Sequence, residues 1–369
     1  MPESTLIVPE QILCYPGSRY ALKDILPDYA QNILVICGKH SLSQLRDEDY
    51  KIFGPERKIH FAVTPAEPEI DLIDQIRKDG AGFEAQAIVG WGGGSAIDAA
   101  KAVAGLWHES APCRDFFYGK NTAERRKIFL AAVPTTAGTG AEVTPNAVLS
   151  DRKTGIKQSL RTEGMLPDAA VADADLVQDL PRHIMSASGF DALTQAIESF
   201  TSNKATAFTR QLAQTAADEL LKNLYPATCR NIEAVRAITR ASLNTGLAFA
   251  RSGLGAVHGL AHPLGSLLHL PHGIACSILL PQIMQYNYRI SPAEIDQLAL
   301  ATGFKNGIRL IEQIIALKNQ LGLPDKFADA ELIGKNLDFI LSNCRSGSMK
   351  CNPHSICDDD IVKLLEELI

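Results

Sequence analysis

Four short apolar runs in the first half of the chain each stop at glycine or proline. They are NILVIC (Asn32–Cys37) before Gly38, KIHFAV (Lys58–Val63) before Thr64-Pro65, AQAIVGW (Ala85–Trp91) before Gly92, and KIFLAAV (Lys127–Val133) before Pro134. Near-continuous apolar runs of this kind imply strands covered on both faces, since a strand with one wet face alternates polar and apolar residues. Helical stretches separate the runs. Short apolar strands alternating with helices predict a parallel, doubly wound α/β sheet.

The pattern changes after LVQDLP (Leu176–Pro181). Strand-like runs almost vanish. SASGFDALTQAIESF, AFTRQLAQTAADELLKNLYPA, NIEAVRAITRASLNTGLAFA and DIVKLLEELI all repeat apolar residues every three to four positions, the period of an amphipathic helix. Asp358–Asp360 are expected to cap the last of these and favour its positive end. With Pro181 as punctuation, the chain divides into an α/β domain, residues 1–178, and an all-α domain, residues 179–369.

Of the 369 residues, 46% are hydrophobic and 21% charged, ordinary for a globular protein with a sizeable core. The net charge of -6 and the lack of any basic run argue against a nucleic-acid or anionic-membrane partner. MPESTLIVPEQIL has no cationic start followed by an apolar core, so no signal peptide is expected, and no apolar stretch approaches the ~18–20 residues of a membrane span. Eight scattered cysteines without a C-x-x-C pair read as reduced, buried or inert thiols in a cytoplasmic protein.

IVGWGGGSAIDAAKAVAG follows one expected strand and opens a helix. Gly90, Gly92, Gly93 and Gly94 let backbone N–H groups approach an anion, and the segment from Ser95 to Lys101 offers a helix N-terminus to it. Such a loop also serves tight strand-to-helix packing. A second polar loop after a strand, PTTAGTGAEVTPNAV (Pro134–Val148), carries Thr135, Thr136, Thr139 and Thr144. Two polar loops at the carboxyl ends of parallel strands favour a dinucleotide over plain surface turns.

AVHGLAHPLGSLLHLPHG (Ala256–Gly273) holds His258, His262, His269 and His272. His258 and His262 are four apart and share a helix face. His272 would lie about 21 Å along an unbroken helix from His258, but Pro263 and Pro271 predict a break, with LPHG a turn that carries His272 back. GFDALTQAIE adds Asp191, with Gln195 one turn later on the same face. Asp191, Gln195, His258 and His272 are therefore a candidate metal site assembled from separate helices, and His269 is left as structural. Each histidine alone would read as a core hydrogen-bonding group, but the set is too dense for that.

Together, GGGSAIDAAK, PTTAGTGAEVT, DALTQAIE, HGLAHPLG and LPHG, in this order, resemble the iron-containing (group III) alcohol dehydrogenase family over nearly the whole chain. CNPHSICDDDIVKLL resembles its C-terminal ending. The resemblance implies a Rossmann-like N-terminal domain that binds NAD or NADP and a helical C-terminal domain that holds a divalent metal, Fe2+ or Zn2+, in the dehydroquinate synthase-like architecture. The active site is expected in the cleft between them. It places Gly93, Gly94, Ser95, Thr135, Thr136, Thr139, Asn146 and Lys157 on cofactor-contact positions, and Asp191, His258 and His272 on metal-ligand positions. His262 falls beside the nicotinamide and substrate. A small alcohol or aldehyde substrate and a homodimer or larger oligomer are implied too.

Two departures matter. The family's iron enzymes carry histidine where this chain has Gln195, a neutral and weaker oxygen donor. Gly38, followed by Lys39, stands where many NAD-specific members carry an aspartate that reads the ribose 2′-OH, so NADP(H) is expected to be tolerated or preferred. Gln195 keeps open a metal-free reductase resembling the maleylacetate type. Arg251 raises an anionic, for example phosphonate-bearing, aldehyde. A non-catalytic nucleotide-binding protein is the alternative outside catalysis, and the three histidines argue against it.

Overall fold

All four apolar runs are strands in the computed structural model, which describes residues 5–45, 49–123 and 126–369. The strands are β1 (Gln11–Leu13), β2 (Asn32–Gly38), β3 (Lys58–Thr64), β4 (Ala87–Gly92), β5 (Phe129–Pro134), β6 (Asn146–Asp151), β7 (Ile156–Arg161) and β8 (Ala169–Val171). Six of them form one parallel sheet in the order β1-β8-β5-β4-β2-β3. In β2, β4 and β5 burial on both faces is visible residue by residue, whereas β3, expected to be covered too, is the edge strand and only half-buried. Leu34, Ile36, Ile88 and Leu130 pack into one core, and Ile33, Val35, Val89, Trp91 and Val133 into another. The expected doubly wound α/β domain is therefore present, as a unit spanning Ile7–Asp179.

Two parts of this unit have no counterpart in the sequence reading. The strands β1 and β8 are only three residues long, too short to show a period. The hairpin β6–β7 pairs antiparallel, Ala147 against Leu160 and Leu149 against Gln158, outside the main sheet. Its turn end is anchored by Asp151, whose buried carboxylate accepts from the Arg114 guanidinium and the Tyr118 hydroxyl. Asp151 is held far below the usual carboxylate range, chiefly by the Arg114 hydrogen bonds.

A second unit comprises Leu180–Ile369 with Thr5 and Leu6. In chain order the helices used below are α1 (Ile70–Gly82) and α2 (Gly94–Gly105) in the first unit. The second unit has α3 (Arg182–Thr201), α4 (Ala207–Thr228), α5 (Ile232–Ser252), α6 (Ala256–Leu268), α7 (His272–Ile290) and α8 (Asp358–Glu367). The unit contains no strand among the described residues, as expected. The helix α3 is buried nearly all round over its last three turns, which makes it the central rod. Thr206 and Thr209 close a capping box at the start of α4, and Asn231 caps α5.

Two local expectations are corrected. Pro263 does not break its helix but sits inside α6. The break comes at His269, which takes a left-handed φ of 51° as C-cap, followed by Pro271, so His272 opens α7 rather than lying in the turn. Asp358–Asp360 fill the first turn of α8, but none caps it through its side chain, and Cys357 is the N-cap. Their help to α8 comes through the helix dipole alone.

Candidate active site

The dinucleotide cradle is built where the strand order reverses. From β2 the chain runs outward to β3 and then returns to β4 on the other side, so the switch point lies between β2 and β4. Ligands of open α/β sheets bind outside the carboxyl ends of the strands at that point. Gly38 ends β2, and Gly92 ends β4 with a φ of 153° that side chains rarely adopt. A Cβ on Gly92 would stand 2.8 Å from Ala96 Cβ, and one on Gly94 only 2.7 Å from Thr139 Cγ2. The two polar loops thus touch, and they do so because one of them lacks side chains. The Thr135 N–H donates to the Gly92 carbonyl at 2.9 Å, and the Thr135 hydroxyl lies 3.4 Å from that of Ser41. Gly93 is the N-cap of α2, with no side-chain cap of its own, so the first N–H groups of the helix are available to an anion.

The remaining cofactor candidates flank this cradle. The Ser95 hydroxyl donates to the Ala66 carbonyl, and Lys157 on β7 pairs with Glu67 at 2.7 Å, so the loop after β3 ties both in place. Asn146 opens β6 and accepts from Arg161 at 3.5 Å. Gly93 and Thr136 face each other, a Cβ on the glycine falling 3.4 Å from Thr136 Cγ2.

In the helical unit, Asp191 and Gln195 share a face of α3, and the next residue on that face is Glu198. Glu198 is the residue that organises the histidine helix. Its Oε1 accepts from the Val257 N–H at 2.6 Å, and its Oε2 lies 2.6 Å from His258 Nδ1. A Cβ on Gly255 would reach within 2.6 Å of the same carboxylate, so glycine there lets the start of α6 close onto α3. Asn352 Oδ1 accepts from the Ala256 N–H beside it. A second close approach sets α7: a Cβ on Gly273 would stand 2.1 Å from the Ala187 carbonyl oxygen of α3.

These packings bring together residues far apart in the chain. Asp191 Oδ1 lies 3.3 Å from His258 Nε2 and 3.7 Å from His272 Nε2. The His272 ring centroid is 5.2 Å from that of His258 and 5.3 Å from that of His262. His269 is exposed, off this cluster. Cys276, one turn after His272, joins the group. One donor atom each from Asp191, His258, His272 and Cys276 lie within 4.8 Å of one another, and the four could hold a metal ion. This thiol was expected to be inert. Its signal was the His272–Cys276 spacing of one helical turn, as Glu198 was signalled by its place on the Asp191–Gln195 face.

The donors fit a cation. Asp191, Gln195, Glu198 and His258 are each no more than 4% exposed. Among the described residues, Asp191 Oδ1, Gln195 Oε1 and His258 Nε2 are buried without a hydrogen-bond partner. The 3.3 Å approach of Asp191 to His258 is close enough for attraction but out of line for a hydrogen bond. Each such atom costs about 1–3 kcal/mol when nothing satisfies it, and three in one place call for a positive charge. Burial disfavours the charged His258 ring, but the carboxylates of Glu198 and Asp191 outweigh it and hold the imidazole up at about 9. Burial likewise opposes ionised Asp191, yet His272, His258 and Cys276 hold its carboxyl below the ordinary range. A field that favours a proton on His258 also favours a divalent cation beside it.

Known proteins resemble the chain in sequence and in fold. Residues 9–174 match the family described as iron-containing alcohol dehydrogenase, and residues 185–369 match the C-terminal domain of the Fe-containing alcohol dehydrogenase family. The chain belongs to the iron-containing alcohol dehydrogenase family. It is 34% identical to a 1-propanol dehydrogenase of Salmonella typhimurium over 359 residues, 92% of this chain and 93% of that protein. It is 31% identical to an NADPH-dependent butanol dehydrogenase of Clostridium saccharobutylicum over 77% of each chain. The structure of a sulfoacetaldehyde reductase from Bifidobacterium kashiwanohense in complex with NAD+ superposes with a TM-score of 0.92, at 27% identity, over 99% of this chain and 98% of that one. The chain is an NAD(P)-dependent oxidoreductase of the alcohol–aldehyde couple. The family uses NAD(P) and a divalent metal. No helix among the described residues is long and apolar enough to cross a membrane.

Proposed function

We propose that this member interconverts a small alcohol and its aldehyde with NAD(P)(H), at a divalent metal, Fe2+ or Zn2+, held by Asp191, His258 and His272, with Gln195 beside it. The observation that carries this reading is the convergence of those three side chains on one buried spot. Bound there, the metal supplies a Lewis acid and the nicotinamide a hydride carrier.

The chain's own residues do the rest. Asp191 supplies the negative charge that a buried cation needs. Glu198 accepts the Nδ1 proton of His258, which leaves Nε2 as the free lone pair on the Asp191 side. His262, stacked beside His272, is placed to pass the alcohol proton towards water, since imidazole changes charge near neutral pH. Gly93, Gly94 and Ser95 present the N-terminus of α2 to the cofactor phosphates, with Thr135, Thr136, Thr139, Asn146 and Lys157 around the riboses. Gly38 puts no carboxylate against a 2′-phosphate and Lys39 adds a cation nearby, so NADP(H) is tolerated or preferred.

The likeness to a sulfoacetaldehyde reductase favours a second substrate reading, an anionic aldehyde, for which Arg251 at the end of α5 is the candidate cation. We further propose a cytoplasmic homodimer or larger oligomer; the free state of the eight cysteines supports the reducing compartment.

The test is metal analysis with a screen of NADH and NADPH oxidation against neutral and anionic small aldehydes. Asp191→Ala and His272→Ala should each lower turnover by roughly 100-fold or more, with the far-ultraviolet circular dichroism unchanged. Full activity in either variant, with chelators harmless, would remove the metal from the reaction.

A further inference from the structure

The fourth donor in the helical unit is one that the family resemblance did not point to. Cys276 is completely buried on α7, and its Sγ lies 3.6 Å from His272 Nε2. Asp191 Oδ1 is 3.3 Å from His258 Nε2 and 3.7 Å from His272 Nε2. Around tetrahedral zinc, with bonds of about 2.0–2.1 Å to nitrogen or oxygen and about 2.3 Å to sulfur, donors stand about 3.4 Å apart, or about 3.6 Å where one is sulfur. Three of the six donor separations match the edges of such a tetrahedron, and all four donor atoms lie within 4.8 Å of one another. Charge points the same way. A thiolate beside the Asp191 carboxylate puts a second anionic donor directly on a buried divalent ion, which such an ion needs to offset its lost hydration. Gln195 offers only an uncharged amide oxygen where the family's iron enzymes have an imidazole, so the chain lacks one nitrogen donor on α3 and holds a sulfur donor on α7.

We propose that Cys276 is a metal ligand of this chain, completing a carboxylate–His–His–thiolate site with Asp191, His258 and His272, and that its sulfur selects zinc over iron. The proposal rests on the metal reading above. Gln195 would then stand beside the ion rather than among its ligands, and zinc, which can take a fifth ligand, would still supply a Lewis acid there.

The experiment exchanges the metal of the full-length protein for Co2+ and records its absorption spectrum and stoichiometry. A thiolate-to-cobalt charge-transfer band in the near ultraviolet is expected in the unaltered protein and in Gln195→Ala, and is expected to be absent in Cys276→Ser and Cys276→Ala. Zinc affinity, from competition with a chromophoric chelator, should fall about 100-fold or more in both cysteine variants, because even partners outside the ligand set are worth 10–100-fold. Thermal melts check that at least one of the two variants is folded. Cobalt bound at one per chain without the band, or a band that survives in Cys276→Ser, overturns the assignment of Cys276 and leaves the metal reading standing. Failure of the unaltered protein to bind cobalt or zinc at all overturns both.

Discussion

At the scale of single residues, the chemistry depends on side chains whose surroundings differ sharply from water. Glu198 touches both the start of α6 and the His258 ring, so it orients a donor without itself being in the metal group. Glu198→Gln should weaken metal binding by about 10–100-fold and leave dinucleotide affinity unchanged; chelator competition and fluorescence titration read the two separately. Glu142 is buried near Lys101 in the α/β unit. Burial raises its carboxyl to about 7, with Lys101 only partly opposing the shift. The sign follows from proton counting. Between the ordinary carboxylate range and about 7 the native state binds more protons than the unfolded chain, so stability falls as pH rises through that window. Glu142→Gln removes this loss. Its melting temperature, compared with that of the unaltered protein, should therefore improve from pH 5 to pH 8, and a difference independent of pH would contradict the assignment.

At the scale of elements, glycines decide how closely helices and loops approach. Gly273 lets the first turn of α7 reach the backbone of α3 at Ala187, and Gly189 of α3 lies where a Cβ would stand 2.2 Å from Leu224 of α4. Gly273→Ala must push α7 back, at a cost of about 1–3 kcal/mol or more. It should lower the melting temperature and the metal affinity together, since His272 and Cys276 ride on that helix. In the other unit, Gly94→Ala would wedge the glycine loop away from Thr139. An overpacking cost of the same order, at about 1.4 kcal/mol per tenfold, raises KM for the nicotinamide cofactor by about tenfold or more. Steady-state kinetics with cofactor as the varied substrate measures this. If KM did not change, the loop would not be the phosphate cradle.

At the scale of the molecule, the metal group lies wholly in the unit Leu180–Ile369 and the glycine cradle wholly in Ile7–Asp179. Each ligand stabilises the part that binds it, by about 2.7 kcal/mol at a hundred times its dissociation constant. In a calorimetric scan, removing the metal should lower the transition of the helical unit, and saturating NADP(H) should raise that of the α/β unit. A single transition that shifts as a block with either ligand would show that the two units unfold together.

Much of this was written locally. The strands β2, β4 and β5 show in runs of six or seven residues because strands covered on both faces need apolar stretches, and the helical half shows in its three-to-four spacing. The cradle glycines are a local motif too, and helix geometry alone puts the pairs Asp191–Gln195 and His258–His262, each four apart, on one face. The three-residue strands β1 and β8 carry too few residues for a period. The hairpin β6–β7 is held by Arg114 and Tyr118 from elsewhere in the chain. Pro263 looked like a break because its cost is local, while the packing that keeps α6 whole is not. What only the tertiary structure decided is which donors meet: Glu198 behind His258, and Cys276 beside His272. No short window of sequence encodes that meeting, because it depends on how closely two helix backbones pack, at Gly255 and Gly273, against a third.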